Sequence, residues 1–172
     1  MSLDVDVSEL AQIPVFAGIP PEDLASLLRL ADTMELGTEE VLFSEGEAAD
    51  TFYVLLSGGI DLSSKQRFFA HVGAGAAIGE TSLLTNSHHS ASARATEPSR
   101  LLRFPDRRFN DMLDAGSVPA YRLVVNLARV LASRLRAADS QLAAIGSQPD
   151  AQPVPEDDLD RLRRIFFAEW GL

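Results

Sequence analysis

Between Met34 and Phe104 the chain is a succession of short apolar runs, each closed by a turn signal. The runs are Val41–Phe43, Phe52–Leu56, Ile60–Leu62, Phe68–Val72, Ala91–Ala95 and Leu101–Phe104. Between them stand Glu45-Gly46, Ser57-Gly58-Gly59, Lys65-Gln66, Gly73-Ala74-Gly75 and Glu97-Pro98. Runs this short, rich in aromatic and β-branched residues and spaced this regularly, predict an all-β roll or barrel. One interruption, Glu80–Leu84, reads as a short helix inside the β region.

Helical periodicity flanks the strands. Ser8–Leu30 reads as helical, with Pro20-Pro21-Glu22-Asp23 as a helix start and Leu24, Leu27, Leu28 and Ala31 at helical spacing. Asp106–Leu113 predicts one helix, broken at Ala115-Gly116-Ser117. Pro119 opens a longer helix to about Ile145. Residues 146–156, rich in Pro, Gln, Ser and Asp, read as a linker. Residues 157–172 then predict a C-terminal amphipathic helix with Leu159, Leu162, Phe166 and Trp170 on one stripe. The expectation is therefore mainly β with flanking helices. A double-stranded β-helix, a jelly-roll-like β-roll over about 34–104, is followed by a long dimerisation helix over about 119–145, together forming a domain at 1–145.

Composition removes several function classes. The 172 residues are long enough to bury a core, and 46% of them are apolar. With 25 acidic against 15 basic residues, the net charge of −10 opposes a phosphate backbone. The absence of cysteine excludes disulfides, iron–sulfur clusters and thiolate zinc sites. The first ten residues carry no apolar h-region, and no run approaches the ~20 residues of a membrane span. These features predict a cytoplasmic protein that contacts neither membrane nor nucleic acid.

Two segments carry a resemblance. Residues 45–62, EGEAADTFYVLLSGGIDL, hold Gly46, Asp50, the aromatic pair Phe52-Tyr53 and Gly58. Residues 73–95, GAGAAIGETSLLTNSHHSASARA, hold a Gly-Glu pair, a short helix, a loop and then small residues entering a strand. Together they resemble the cyclic-nucleotide-binding domains, whose phosphate-binding cassette the second segment is similar to. With the flanking helices the resemblance covers about residues 10–145. On the residues alone, Gly79 permits close backbone approach. The N–H groups opening Glu80–Leu84 suit an anion; the alternative is that Gly79-Glu80 only closes a turn. The resemblance implies that Glu80 meets a ribose hydroxyl. It places the backbone of Gly79, Thr81 and Ser82, with the small residues Ser90 and Ser92, around a cyclic phosphate and base.

The pattern departs from the family at two places. His89 stands where the family has its phosphate-pairing arginine, beside His88 where a proline is common. Arginine offers a permanent charge and a two-pronged fork, whereas histidine is mostly neutral at pH 7. A hydrogen bond to a charged group is worth ~1.5–3 kcal/mol, so the exchange weakens phosphate binding by roughly ten- to hundred-fold. Glu39 stands where the family turns on glycine, which requires a strained or rebuilt loop. Three outcomes stay open: a weakly bound cyclic nucleotide (cAMP or cGMP), tighter at low pH; another small anion; or a ligand-free remnant. A metal reading of His88 and His89 with His71 and Glu80 fails, because adjacent strand residues point to opposite faces.

The long helix carries a second signal. Tyr121, Val124, Ala128, Leu131, Leu135, Ala138, Leu142 and Ile145 alternate spacings of three and four, an a/d seam that predicts a homodimer. Arg134 and Asp139 fit the g–e′ relation across such a dimer. The alternative for the first half is packing on its own roll, where Val125 and Leu127 widen the apolar face. Arg122 and Asn126 on the same helix are expected to reach a base or phosphate. After Gly146 the chain has room for one helix, not a helix-turn-helix. That helix, with Phe166, Phe167 and Trp170, is a candidate contact for a protein partner or for the chain itself. No nucleophile elbow, paired-carboxylate motif or metal-ligand cluster indicates an enzyme. The expected function is a non-enzymatic sensor of a small anionic ligand; the alternative is a ligand-free dimeric scaffold.

Overall fold

The computed structural model describes residues 6–80 and 88–146. The expected short helix over 80–84, the linker and the C-terminal helix therefore fall wholly or mostly outside the described residues. The side chains of Ala138, Leu142 and Ile145 do so as well.

The N-terminal segment is three short pieces rather than one helix: α1 (Val7–Leu10), a 3-10 turn (Pro14–Phe16) and α2 (Pro21–Leu28). Pro14 and the Pro20-Pro21 pair open the later two, where a missing N–H costs nothing. Eight strands follow: β1 (Asp32–Leu36), β2 (Val41–Phe43), β3 (Thr51–Ser57), β4 (Ile60–Ser64), β5 (Arg67–Val72), β6 (Ala77–Ile78), β7 (Ser92–Ala95) and β8 (Ser99–Pro105). They pair antiparallel in two four-stranded sheets, ordered β1-β8-β3-β6 and β2-β7-β4-β5. Helices α3 (Asp106–Asp114) and α4 (Val118–Gly146) complete the described residues. This is the β-roll with a long C-terminal helix that the apolar runs predict.

The alternation along β3 explains why Phe52–Leu56 reads as an unbroken apolar run. Phe52 and Val54 face the helices and pack with Phe16, Leu24, Leu27, Leu102, Phe104, Phe109, Leu123 and Leu127. Tyr53 and Leu55 face into the roll and pack with Phe43, Ile60, Leu62, Val72, Ile78 and Leu101. A strand buried on both faces loses its polar alternation. Helix α4 is anchored to the first core through Ala120, Leu123 and Leu127, all fully buried.

Two turns determine the roll's shape. At Gly58 (φ +92°), between β3 and β4, a Cβ would lie 2.6 Å from the Ser99 Cα, so no side chain fits. Glu39 takes φ +65°, the left-handed region that glycine occupies without penalty. The strain expected of a non-glycine there is present. Two backbone bonds hold it, Glu39 N–H to the Ala95 carbonyl at 2.8 Å and the Arg94 guanidinium to the Glu39 carbonyl at 2.6 Å.

Candidate ligand cassette

Gly79 and Glu80 follow β6 directly, and β6 is pinned to β3 through Tyr53–Ile78 and Val54–Ala77. Gly79 has φ +79°, and a Cβ there would lie 3.2 Å from the Thr51 carbonyl oxygen and 3.5 Å from His89 Cε1. Glycine is needed both for the backbone angle and for this approach. The same contact brings His89 from the far end of the cassette against Gly79. His89 is fixed by its backbone: its N–H donates to the Glu47 carbonyl at 3.0 Å, and its carbonyl accepts from Gly46 N–H at 2.8 Å.

The His89 ring is buried and lies parallel to Phe43, with centroids 3.7 Å apart and 5° between planes. Phe43 in turn stacks on Tyr53 at 6.0 Å. Burial pushes the imidazole below its ordinary 6.5, against the opposing pull of Glu47 and Asp50. The ring is therefore neutral at pH 7 and offers no charge to a phosphate. His88 is exposed and bridges Ala48; Ser90 is exposed; Ser92 Oγ accepts from the Glu45 N–H at 2.9 Å. Thr81 and Ser82 lie outside the described residues.

Glu80 is 1% exposed, and Arg134 of α4 donates to its Oε1 at 2.5 Å. Both side chains of this pair are almost wholly buried. Burial pushes the Glu80 carboxyl above its ordinary range, and the guanidinium pulls the other way. Glu80 Oε2 is buried without a hydrogen-bond partner among the described residues. The cassette thus has a carboxylate with one oxygen held by α4 and the other buried without a partner among the described residues. Such an atom is costly unless a donor meets it.

This geometry corrects the reading of Arg134 as an interhelical partner of Asp139. Arg134 lies eleven residues after Leu123 and seven after Leu127, on the stripe that α4 turns toward its own chain. That phase was readable in the sequence, and Arg134 is the site residue the heptad assignment missed; Phe43 is another. Arg122 and Asn126 also have other partners than a base or phosphate. Arg122 pairs with Asp23 of α2 at 2.7 Å, and the Asn126 amide donates to the Val15 and Ala17 carbonyls. Along the proposed seam Tyr121, Ala128 and Leu135 are exposed and Leu131 is half-buried, whereas Val124 packs on its own core. Val118 and Val125 extend the exposed stripe in its place. His71 pairs with Asp61 at 2.8 Å, and no three metal-ligating side chains gather among the described residues. No described helix is long and apolar enough to cross a membrane.

A two-sheet roll that closes a glycine–glutamate cassette against a long helix defines a class of regulatory ligand-binding domain. Residues 33–115, just under half of the chain, match the family model described as the cyclic nucleotide-binding domain. The cyclic AMP receptor protein of Thermus thermophilus is 31% identical over 134 residues, covering 75% of this chain and 60% of that protein. An uncharacterized NTE family protein of Mycobacterium tuberculosis is 28% identical over 123 residues. The match covers 71% of this chain but only 21% of that protein. The crystal structure of the Thermus thermophilus catabolite activator protein superposes with a TM-score of 0.68 at 29% identity, over 77% of this chain and 63% of that one. The chain thus spans about a fifth of one of these relatives and about three fifths of the other two.

Proposed function

We propose that this domain senses a small anionic ligand, a cyclic nucleotide such as cAMP or cGMP or a related anion, and performs no chemistry on it. The ligand sits in the cassette between Gly79-Glu80 and His89, and two copies of the chain pair along the exposed stripe of α4. The observation that carries this reading is the Glu80–Arg134 pair. The carboxylate that the family resemblance assigns to the ribose is held by the helix that would transmit the signal, so ligand and helix compete for one group. Cytoplasmic location, and a protein contact through the C-terminal helix, belong to the same proposal.

A second reading has its own support. The His89 ring is occupied by Phe43, and half of the Glu80 carboxylate by Arg134, so the cassette is largely satisfied by its own chain. On that reading the domain is a ligand-free dimeric scaffold.

Thermal shift with cAMP, cGMP and cyclic dinucleotides at pH 6 and pH 7.5 separates the two. Ligand at a hundredfold excess over Kd adds about 2.7 kcal/mol, or roughly 5–10 °C for a chain of this size. Because burial lowers the His89 pKa, the gain at pH 6 is smaller than an exposed histidine would give. No shift with any of these nucleotides at either pH rejects the sensor.

A further inference from the structure

Next to the cassette, on the other side of Arg134, a cleft of about 380 Å³ opens between the N-terminal helical segment, the turn before β6 and one flank of α4. Its volume is in the range of small-molecule sites. Val15, Ala77 and Val130 give it apolar walls, while Arg129, Ser133 and Arg134 supply its charged and hydroxyl groups. Two arginines and no carboxylate line it among the described residues, in a chain of net charge −10. Arg134 has its charge matched by Glu80. Arg129 does not: its Nη1 donates to Asn126 Oδ1 at 3.2 Å, and it pairs with no carboxylate among the described residues. Asn126 is itself held by its amide bonds to Val15 and Ala17. A neutral amide therefore orients Arg129 and leaves its positive charge uncompensated. Uncompensated charge beside an apolar hollow is the complement of an anion carried on an apolar body.

We propose that this cleft is a second ligand site, adjoining the cassette at Arg134, for a small amphipathic monoanion such as a medium-chain carboxylate. The apolar body rests on Val15, Ala77 and Val130; the headgroup pairs with Arg129 and accepts from the Ser133 hydroxyl. The cleft shares Arg134 with the cassette, but its headgroup contacts are Arg129 and Ser133, so occupancy does not require nucleotide binding.

Octanoate titrated into the full chain, followed by ¹H–¹⁵N correlation spectra, tests the site directly. The expected result is saturable movement of the Ala76, Ala77 and Val130 amides without any nucleotide present, with octylammonium producing none and octanol binding more weakly. Loss of a charge-assisted bond predicts at least tenfold weaker octanoate binding in Arg129→Gln, with an unchanged melting temperature because the side chain is exposed. Ser133→Trp, also at an exposed position, fills the mouth and abolishes binding. No saturable movement at these amides overturns the proposal. So does octylammonium binding as tightly as octanoate, or undiminished octanoate binding in Arg129→Gln.

Discussion

Replacing Arg134 with methionine keeps the volume of the stem and removes the guanidinium from Glu80. The carboxylate is 1% exposed, with one oxygen bonded to Arg134 and the other without a partner among the described residues. Removing one partner of a buried ion pair costs about 3–5 kcal/mol, because the remaining charge stays desolvated. At ~2–4 °C per kcal/mol for a chain of this size, the melting temperature falls on the order of 10 °C. The loss must also depend on pH. Burial already raises the Glu80 pKa above its ordinary 4.5, and without Arg134 the largest opposing pull is lost, leaving only a backbone hydrogen bond against it. Above pH 4.5 the unfolded chain then releases a proton that the folded chain retains, so stability falls as pH rises. Urea denaturation of Arg134→Met at pH 5, 6.5 and 8 should show the deficit growing with pH. Glu80→Gln/Arg134→Met should recover part of the loss and lose the slope, with a coupling energy of about 0.5–3 kcal/mol. An Arg134→Met deficit that is small and flat across pH, or a double variant that simply sums the two singles, would refute this account of the pair.

Three further outcomes follow from particular residues. Glu39→Gly relieves a left-handed residue, worth about 1–2 kcal/mol, against a glycine entropy cost of about 0.5–1 kcal/mol; the unfolding free energy from urea denaturation should rise by a net ~0.5–1 kcal/mol. Asp106 is pushed up to about 6 by burial and by Asp50. Its folded pKa exceeds the unfolded 3.8, so it removes stability as pH rises from about 4 to 6; Asp106→Asn should flatten the stability profile in that window, and an unchanged profile counts against the assignment. His89→Arg, with the new side chain released from the Phe43 stack, should tighten cAMP binding ten- to hundred-fold by calorimetry. No strengthening means that position 89 does not face the phosphate.

The strands were legible because turn chemistry punctuates them. Val41–Phe43 is β2 residue for residue, and the other five runs each fall within or largely overlap one strand. Strand β6, two residues long, leaves too little periodicity to see, and β1, DTMEL, is half-buried through most of its length with one apolar residue fully inside. Glycine needs were equally readable, since Gly58, Gly79 and the misfit Glu39 all declare a backbone angle rather than a contact. The site was harder. A charged residue on a helix gives no sign of what it faces until the helix phase is known. The a/d pattern of α4 suggested one phase, while Leu123 and Leu127 in the core impose another. His89 was recognised as a departure, but its stack on Phe43 joins residues 46 positions apart, which no local pattern reports.

The alignment of Leu123, Leu127 and Arg134 on one face makes α4 an index of length as well as a surface. Each residue turns the helix by about 100°. A single insertion between Leu127 and Arg134 would swing the guanidinium a quarter-turn or more out of the cassette, while everything before it stayed seated. Seven residues bring it back to within about 20° but carry it roughly 10 Å farther along the axis, beyond the reach of Glu80. Descendants of this chain can therefore change the helix beyond Arg134 without altering the phase that seats the guanidinium. Before Arg134 the spacing to the roll is locked, so drift in the output half of the protein leaves the cassette half unaltered.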